Sequence, residues 1–106
     1  MTRNLDQTFT ALSDATRRAI VSRLTTGETK LSEIAEPFDM SLTAVSKHVR
    51  VLSDAGLVSV VKRGRTRYCQ LEAAPMKDAV EWLNTYQEFW QDRFAALARH
   101  LEAGNT

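Results

Sequence analysis

Between Ser41 and Leu52 the apolar residues return at helical spacing. Leu42, Val45, Val49 and Leu52 share one stripe, which predicts a helix with a single buried face. Thr43, Ser46, Lys47 and Arg50 fall outside that stripe and form a small, hydroxylic and basic outer set. Ser41 suits the N-cap, and Gly56 suits a stop just past the end. Upstream, Leu5, Phe9 and Leu12 mark a first short helix, which Ser13-Asp14 interrupts while capping a second that begins near Ala15. There Ile20, Val21 and Leu24 face inward, with Arg17, Arg18 and Arg23 mostly outside. Thr25-Thr26-Gly27 ends that helix, and Gly27-Glu28-Thr29 reads as a loop. Leu31, Ile34 and Ala35 define the buried side of a short third helix that Pro37 brings to a close. Phe38-Asp39-Met40 forms the turn into the capped helix, with Phe38 and Met40 expected to pack beneath it.

After Gly56 the period changes from helical to alternating. Leu57 to Val61 is rich in β-branched residues and reads as a strand, Lys62 to Arg67 as a turn, and Tyr68 to Leu71 as a returning strand. Pro75 then opens the longest helix, which runs to about Leu101. No internal repeat or linker divides the chain. The expectation is one domain over 1–106, with frayed ends at Met1–Asn4 and Ala103–Thr106. Its class is mainly α with a small β-hairpin (α+β), in the order ααααββα: a helix-turn-helix over 31–56, a β-wing over 57–71, and flanking helices at 5–12 and 75–101.

The last helix carries more apolar surface than one small domain needs. Met76, Val80, Leu83, Trp90, Phe94, Leu97 and Leu101 make one stripe, and Trp82, Tyr86 and Phe89 make a second beside it. One stripe is expected on the domain's own core. The other calls for a partner, and a second copy of the same helix is the simplest one. The expected homodimer interface is Leu5, Phe9, Leu12, Trp82, Tyr86, Phe89 and Trp90.

Charge sharpens this division. The 106 residues carry a net charge of only +1. Between Ser41 and Tyr68, however, six cations face the single acid Asp54, a net +5, whereas from Pro75 onward three cations face five acids, a net −2. A helix-turn-helix with a basic outer face beside a basic hairpin is the layout of a double-stranded DNA reader. The candidate contacts are Ser41, Thr43, Ser46, Lys47, His48 and Arg50 on the helix, and Lys62, Arg63, Arg65 and Arg67 on the hairpin. His48 lies beside the buried stripe and fits packing as well as it fits DNA. Arg17 and Arg18 fit backbone contact or a solvated face alike. Two copies would read a near-palindromic site with half-sites roughly 34 Å apart.

Other classes fit less well. The two histidines, His48 and His100, belong to different elements, and no phosphate loop, nucleophile motif or carboxylate pair stands out, so no enzymatic activity and no cofactor are expected. No apolar run approaches a membrane span. The N-terminal residues lack the apolar core of a signal peptide, which points to the cytoplasm. The lone Cys69, in a strand between Tyr68 and Gln70, reads as a small packed side chain. A protein-interaction module and an effector-responsive sensor (of metal, redox state or a small molecule) stay open as alternatives.

The segments Phe9 to Arg18, Leu31 to Ala35, Ser41 to Val58, Arg63-Gly64-Arg65 and Tyr68 together resemble the ArsR/SmtB family of winged helix-turn-helix transcriptional repressors, most strongly over Ala44 to Leu52. The resemblance implies repression. In the family's metal sensors, paired thiolates sit on the helix before the recognition helix, or Asp and His ligands on the last helix. Here Leu31 to Phe38 holds neither Cys nor His, and the last helix has acids such as Asp78, Glu81 and Asp92 but a single histidine, His100, near its end. The chain therefore resembles a branch lacking the usual metal ligands, and no metal site is expected.

Overall fold

The computed structural model describes residues 5–104. The expectations for Met1–Asn4, Asn105 and Thr106 lie outside the described residues. Five helices and three strands follow in the order α1 (Leu5–Leu12), α2 (Ala15–Leu24), β1 (Thr29–Lys30), α3 (Leu31–Ala35), α4 (Leu42–Asp54), β2 (Val58–Arg63), β3 (Thr66–Leu71) and α5 (Ala73–Gly104). This is the winged helix-turn-helix expected from the sequence, with one added strand. Within the described residues, no helix is long and apolar enough to cross a membrane.

Helix boundaries follow from local chemistry. Asp14 Oδ2 accepts a hydrogen bond from the Arg17 amide at 3.0 Å and starts α2. Ser41 Oγ accepts from the Ala44 amide at 3.1 Å and starts α4. Each satisfies a backbone donor that the first helical turn leaves without an internal partner. At the far end of α4, Gly56 adopts a φ of 79°. The Leu57 amide donates to the Leu52 carbonyl at 2.9 Å and the Gly56 amide to that of Ser53 at 3.0 Å. These paired bonds form a Schellman motif, and the buried Leu57 and Leu52 supply its usual apolar contact.

The core lies where α2, α3, α4 and the sheet converge. Ile20, Ile34, Val45, Leu52, Leu57 and Cys69 are fully enclosed there. Phe38 and Met40 pack against this core as expected. Leu42 does not: it is 52% exposed, although the stripe assigned it to the buried face. It sits in the first turn of α4, before the span where Val45, Val49 and Leu52 are covered.

The sheet has the antiparallel order β1-β3-β2. Strand β1, expected as loop, pairs Thr29 with Cys69 and Lys30 with Tyr68. The wing strands run longer than expected. Arg63 pairs with Thr66 and Lys62 with Arg67, leaving only Gly64 and Arg65 as the turn. Gly64 has a φ of 64° and, among the described residues, no non-glycine residue has a positive φ, so the turn places glycine first, as tight hairpins prefer.

Helix α5 begins at Ala73, two residues before Pro75, and includes Ala103 and Gly104, which were expected to fray. Its 32 residues span about 48 Å. Only Pro75 and Ala79 are buried, and Met76 packs against the core. The expectation that one full stripe would cover the domain's own core is therefore corrected. Val80, Leu83, Phe94, Leu97 and Leu101 are exposed, because the helix runs past the body that could cover them.

Candidate nucleic-acid interface

Helix α4 and the wing enclose an open cleft of about 710 Å³. From α4 come Thr43, Ser46, Lys47 and Arg50; from the wing come Arg65 and Arg67. These are residues the sequence assigned to DNA contact, and the fold gathers them from two separate segments. Lys47, Arg50, Arg65 and Arg67 are all exposed, and among the described residues none has a carboxylate partner. The cleft is therefore a solvent-facing concentration of positive charge with hydroxyls between the cations, suited to polyanions and to polar base edges. Ser41 stands at the mouth of α4 with its Oγ committed to the cap.

The wing divides its four cations between two faces. Alternation along a strand puts Lys62 and its partner Arg67 on the side of Val60 and Cys69, toward the cleft. Arg63 lies on the reverse side with Tyr68, its guanidinium 4.9 Å from the ring centroid. There Arg63 Nη1 donates to Glu28 Oε1 at 2.6 Å and Nη2 to Oε2 at 3.2 Å. This forked bond to Glu28 raises the Arg63 pKa and keeps the group charged. The sequence treated Arg63 as equivalent to its neighbours; the register separates it from them.

His48 is half-buried and does not line the cleft. Its Nδ1 lies 3.2 Å from Arg17 Nη1 and 3.8 Å from Asp14 Oδ2. A guanidinium has donors only, so Nδ1 accepts and the proton of the neutral ring sits on Nε2. Arg17 also donates from Nε to the Ala11 carbonyl at 2.6 Å and from Nη2 to the Thr10 carbonyl at 3.2 Å. One side chain thus closes the C-terminus of α1, braces α2 and holds a residue of α4. The sequence reading left Arg17 without this role. Asp14 shares the cluster. The Arg17 amide above all, with the guanidinium charge of Arg17 and the Thr16 amide, holds its carboxyl below the ordinary value of 3.8.

The expected dimer residues occupy another region. Phe9 meets Trp82 edge-on at 5.7 Å, and Trp82 lies 5.1 Å from Tyr86. Further along α5, Phe89 touches Trp90 at 5.4 Å and Trp90 stacks on Phe94 at 6.1 Å. These rings touch each other yet stay open to solvent, Trp90 at 54%. Leu5 is half-buried, and Leu12 packs on the chain's own core. Cys69 is fully buried, and burial pushes its thiol pKa up, which suppresses the reactive thiolate. Among the described residues no group of three or more His, Cys, Asp or Glu side chains is placed to hold a metal ion.

Comparison with known proteins gives this arrangement its relatives. A helix-turn-helix domain family matches residues 12–61. The transcriptional repressor SdpR of Bacillus subtilis (strain 168) is 32% identical over 79 residues, covering 74% of this chain and 88% of its own. A crystal structure of an ArsR family transcriptional regulator shares 42% identity at a TM-score of 0.77, covering 82% of this chain and 96% of that one. The solution structure of a homodimeric winged helix-turn-helix DNA-binding domain from Mycobacterium bovis, described as a possible ArsR-family regulator, shares 27% identity at a TM-score of 0.61, over 80% of this chain and 83% of that one. With the wing, the capped recognition helix and these relatives together, the chain belongs to the ArsR family of winged helix-turn-helix transcriptional regulators, which are DNA-binding proteins and not enzymes.

Proposed function

We propose that this chain acts as a single-domain homodimeric repressor that binds a near-palindromic operator and occludes a promoter in the cytoplasm. The observation that carries the reading is the cleft. Lys47 and Arg50 of α4 face Arg65 and Arg67 of the wing across it, exposed and without carboxylate partners among the described residues. In this reading Thr43, Ser46, Lys47 and Arg50 meet base edges and nearby phosphates in the major groove, while Lys62, Arg65 and Arg67 meet flanking phosphates. Ser41 fixes the start of the reading helix. His48 and Arg63 act from behind it, the first by seating α4 on α2 through Arg17, the second by tying the wing to the turn before β1 through Glu28.

The dimer reading draws support from α5. Its exposed rings at Trp82, Tyr86, Phe89 and Trp90, with Phe9 beside them, form an apolar face larger than scattered surface residues leave. The homodimeric M. bovis domain lends the same support. Repression follows the relative SdpR, a transcriptional repressor. We further propose that the chain works without the family's usual metal ligands, since Leu31 to Phe38 holds neither Cys nor His and α5, despite its acids, has His100 as its one histidine. The buried thiol of Cys69 gives a redox sensor little to act through.

Selection of genomic fragments by the purified protein at near-physiological salt tests the reading. Enrichment of a near-palindromic site, lost with the Lys47→Ala, Arg50→Ala double variant, is the expected result. No enrichment over bulk DNA would contradict it and favour a protein-interaction module.

A further inference from the structure

One residue at the cleft is out of place for phosphate binding alone. Leu42 lines it in the first turn of α4 and is 52% exposed. The helical pattern would hide it, yet the described residues leave about half of it open to solvent. One turn on, at i+4, stands Ser46, with Thr43 and Lys47 adjacent on the helix surface. An apolar side chain thus heads a column of small hydroxyl and basic ones. In a recognition helix the N-terminal residues are those that approach base edges. The one apolar feature of the major-groove edge is the C5-methyl of thymine. Ser46 and Thr43 are short, so they hold no bulk between Leu42 and the groove.

Resting on the DNA reading above, we infer that Leu42 is a specificity-determining residue that packs on the C5-methyl of one thymine in each half-site. Leu42 supplies shape and apolar contact, while Lys47 and Arg50 supply hydrogen bonds and charge. A cytosine at that position lacks the methyl and presents an amino donor to an apolar side chain, so it is rejected.

The test uses the operator recovered by the full-length protein. Each thymine is replaced in turn by uracil, which removes only the methyl, and affinity is measured for the wild-type protein and for Leu42→Ala. One thymine per half-site is expected to matter. Its replacement weakens wild-type binding about fourfold per methyl lost, the transfer value of one buried methyl group, and leaves Leu42→Ala unaffected. Leu42→Met, which restores an apolar side chain of similar length, regains the sensitivity to uracil. Because Leu42 is exposed, Leu42→Ala melts like the wild type, and its melting curve checks this directly. A uracil effect that persists undiminished in Leu42→Ala, or an operator in which no uracil substitution weakens wild-type binding, overturns the inference alone. Failure of the wild-type protein to select any site overturns the proposed function, and the Leu42 assignment with it.

Discussion

The two longest helices of this chain treat their apolar residues in opposite ways. Helix α4 spends 13 residues on one stripe, and Val45, Val49 and Leu52 of that stripe are buried by the chain's own α2, α3 and sheet. Helix α5 spends 32 residues and buries only Pro75 and Ala79, while nine large apolar side chains from Val80 to Leu101 face solvent. The charge divides along the same line, with the basic excess on the α4–wing side and the acidic excess on α5. Amphipathicity thus fixes an element but not what covers it. In α4 the cover is intramolecular and its free face is polar. In α5 the free face is aromatic, and the described residues leave it open to solvent.

The largest effect is expected in the core. Leu52→Ala removes a fully enclosed side chain and is expected to destabilise the protein by about 2–5 kcal/mol in denaturant titration, whereas Leu101→Ala leaves stability of the isolated chain nearly unchanged. At the other helix, Trp82→Asp puts a charge among Phe9, Tyr86 and the dimer face. It is expected to produce a monomer in sedimentation and to weaken operator binding by about 2 kcal/mol or more, roughly thirtyfold, without unfolding the helix-turn-helix. Lys47→Ala and Arg50→Ala should each cost about 1–3 kcal/mol in specific binding and leave the dimer intact.

A finer cut runs through the wing. Neutralising Lys62 or Arg67 should lower the salt slope of binding by about one for each phosphate contact removed, while Arg63→Ala, on the reverse face, leaves the slope unchanged. The smallest effect is at Asp14. Its folded pKa is depressed, so its stabilisation is fully present above the ordinary value of 3.8 and is lost as pH falls through the lower folded value. Wild type and Asp14→Ala should therefore differ in melting temperature at neutral pH and converge only in strongly acidic solution.

Much of this was legible because it is local. Ser41 and Asp14 as caps, Gly56 as the stop and the stripe through Val45, Val49 and Leu52 all depend on neighbours within a turn or two. What escaped depended on distance in the chain. Strand β1 is two residues long, too short to show a period, and exists because Thr29 and Lys30 meet β3. The Arg17–His48 contact spans α2 and α4 and leaves no mark on either helix's pattern. Leu42 obeys the helical period but stands beyond the end of its cover. The separation of Arg63 from Lys62 and Arg67, by contrast, was available from alternation once the turn was centred on Gly64.

We propose that the exposed aromatic helix pairs two copies so that two basic clefts read one operator. The mass of the protein on its selected operator, measured by sedimentation with and without DNA, tests it most directly. Two chains are expected in both states, with a protected site whose half-sites lie roughly 34 Å apart on one face of the duplex. A single chain bound to a single half-site with wild-type affinity would contradict it.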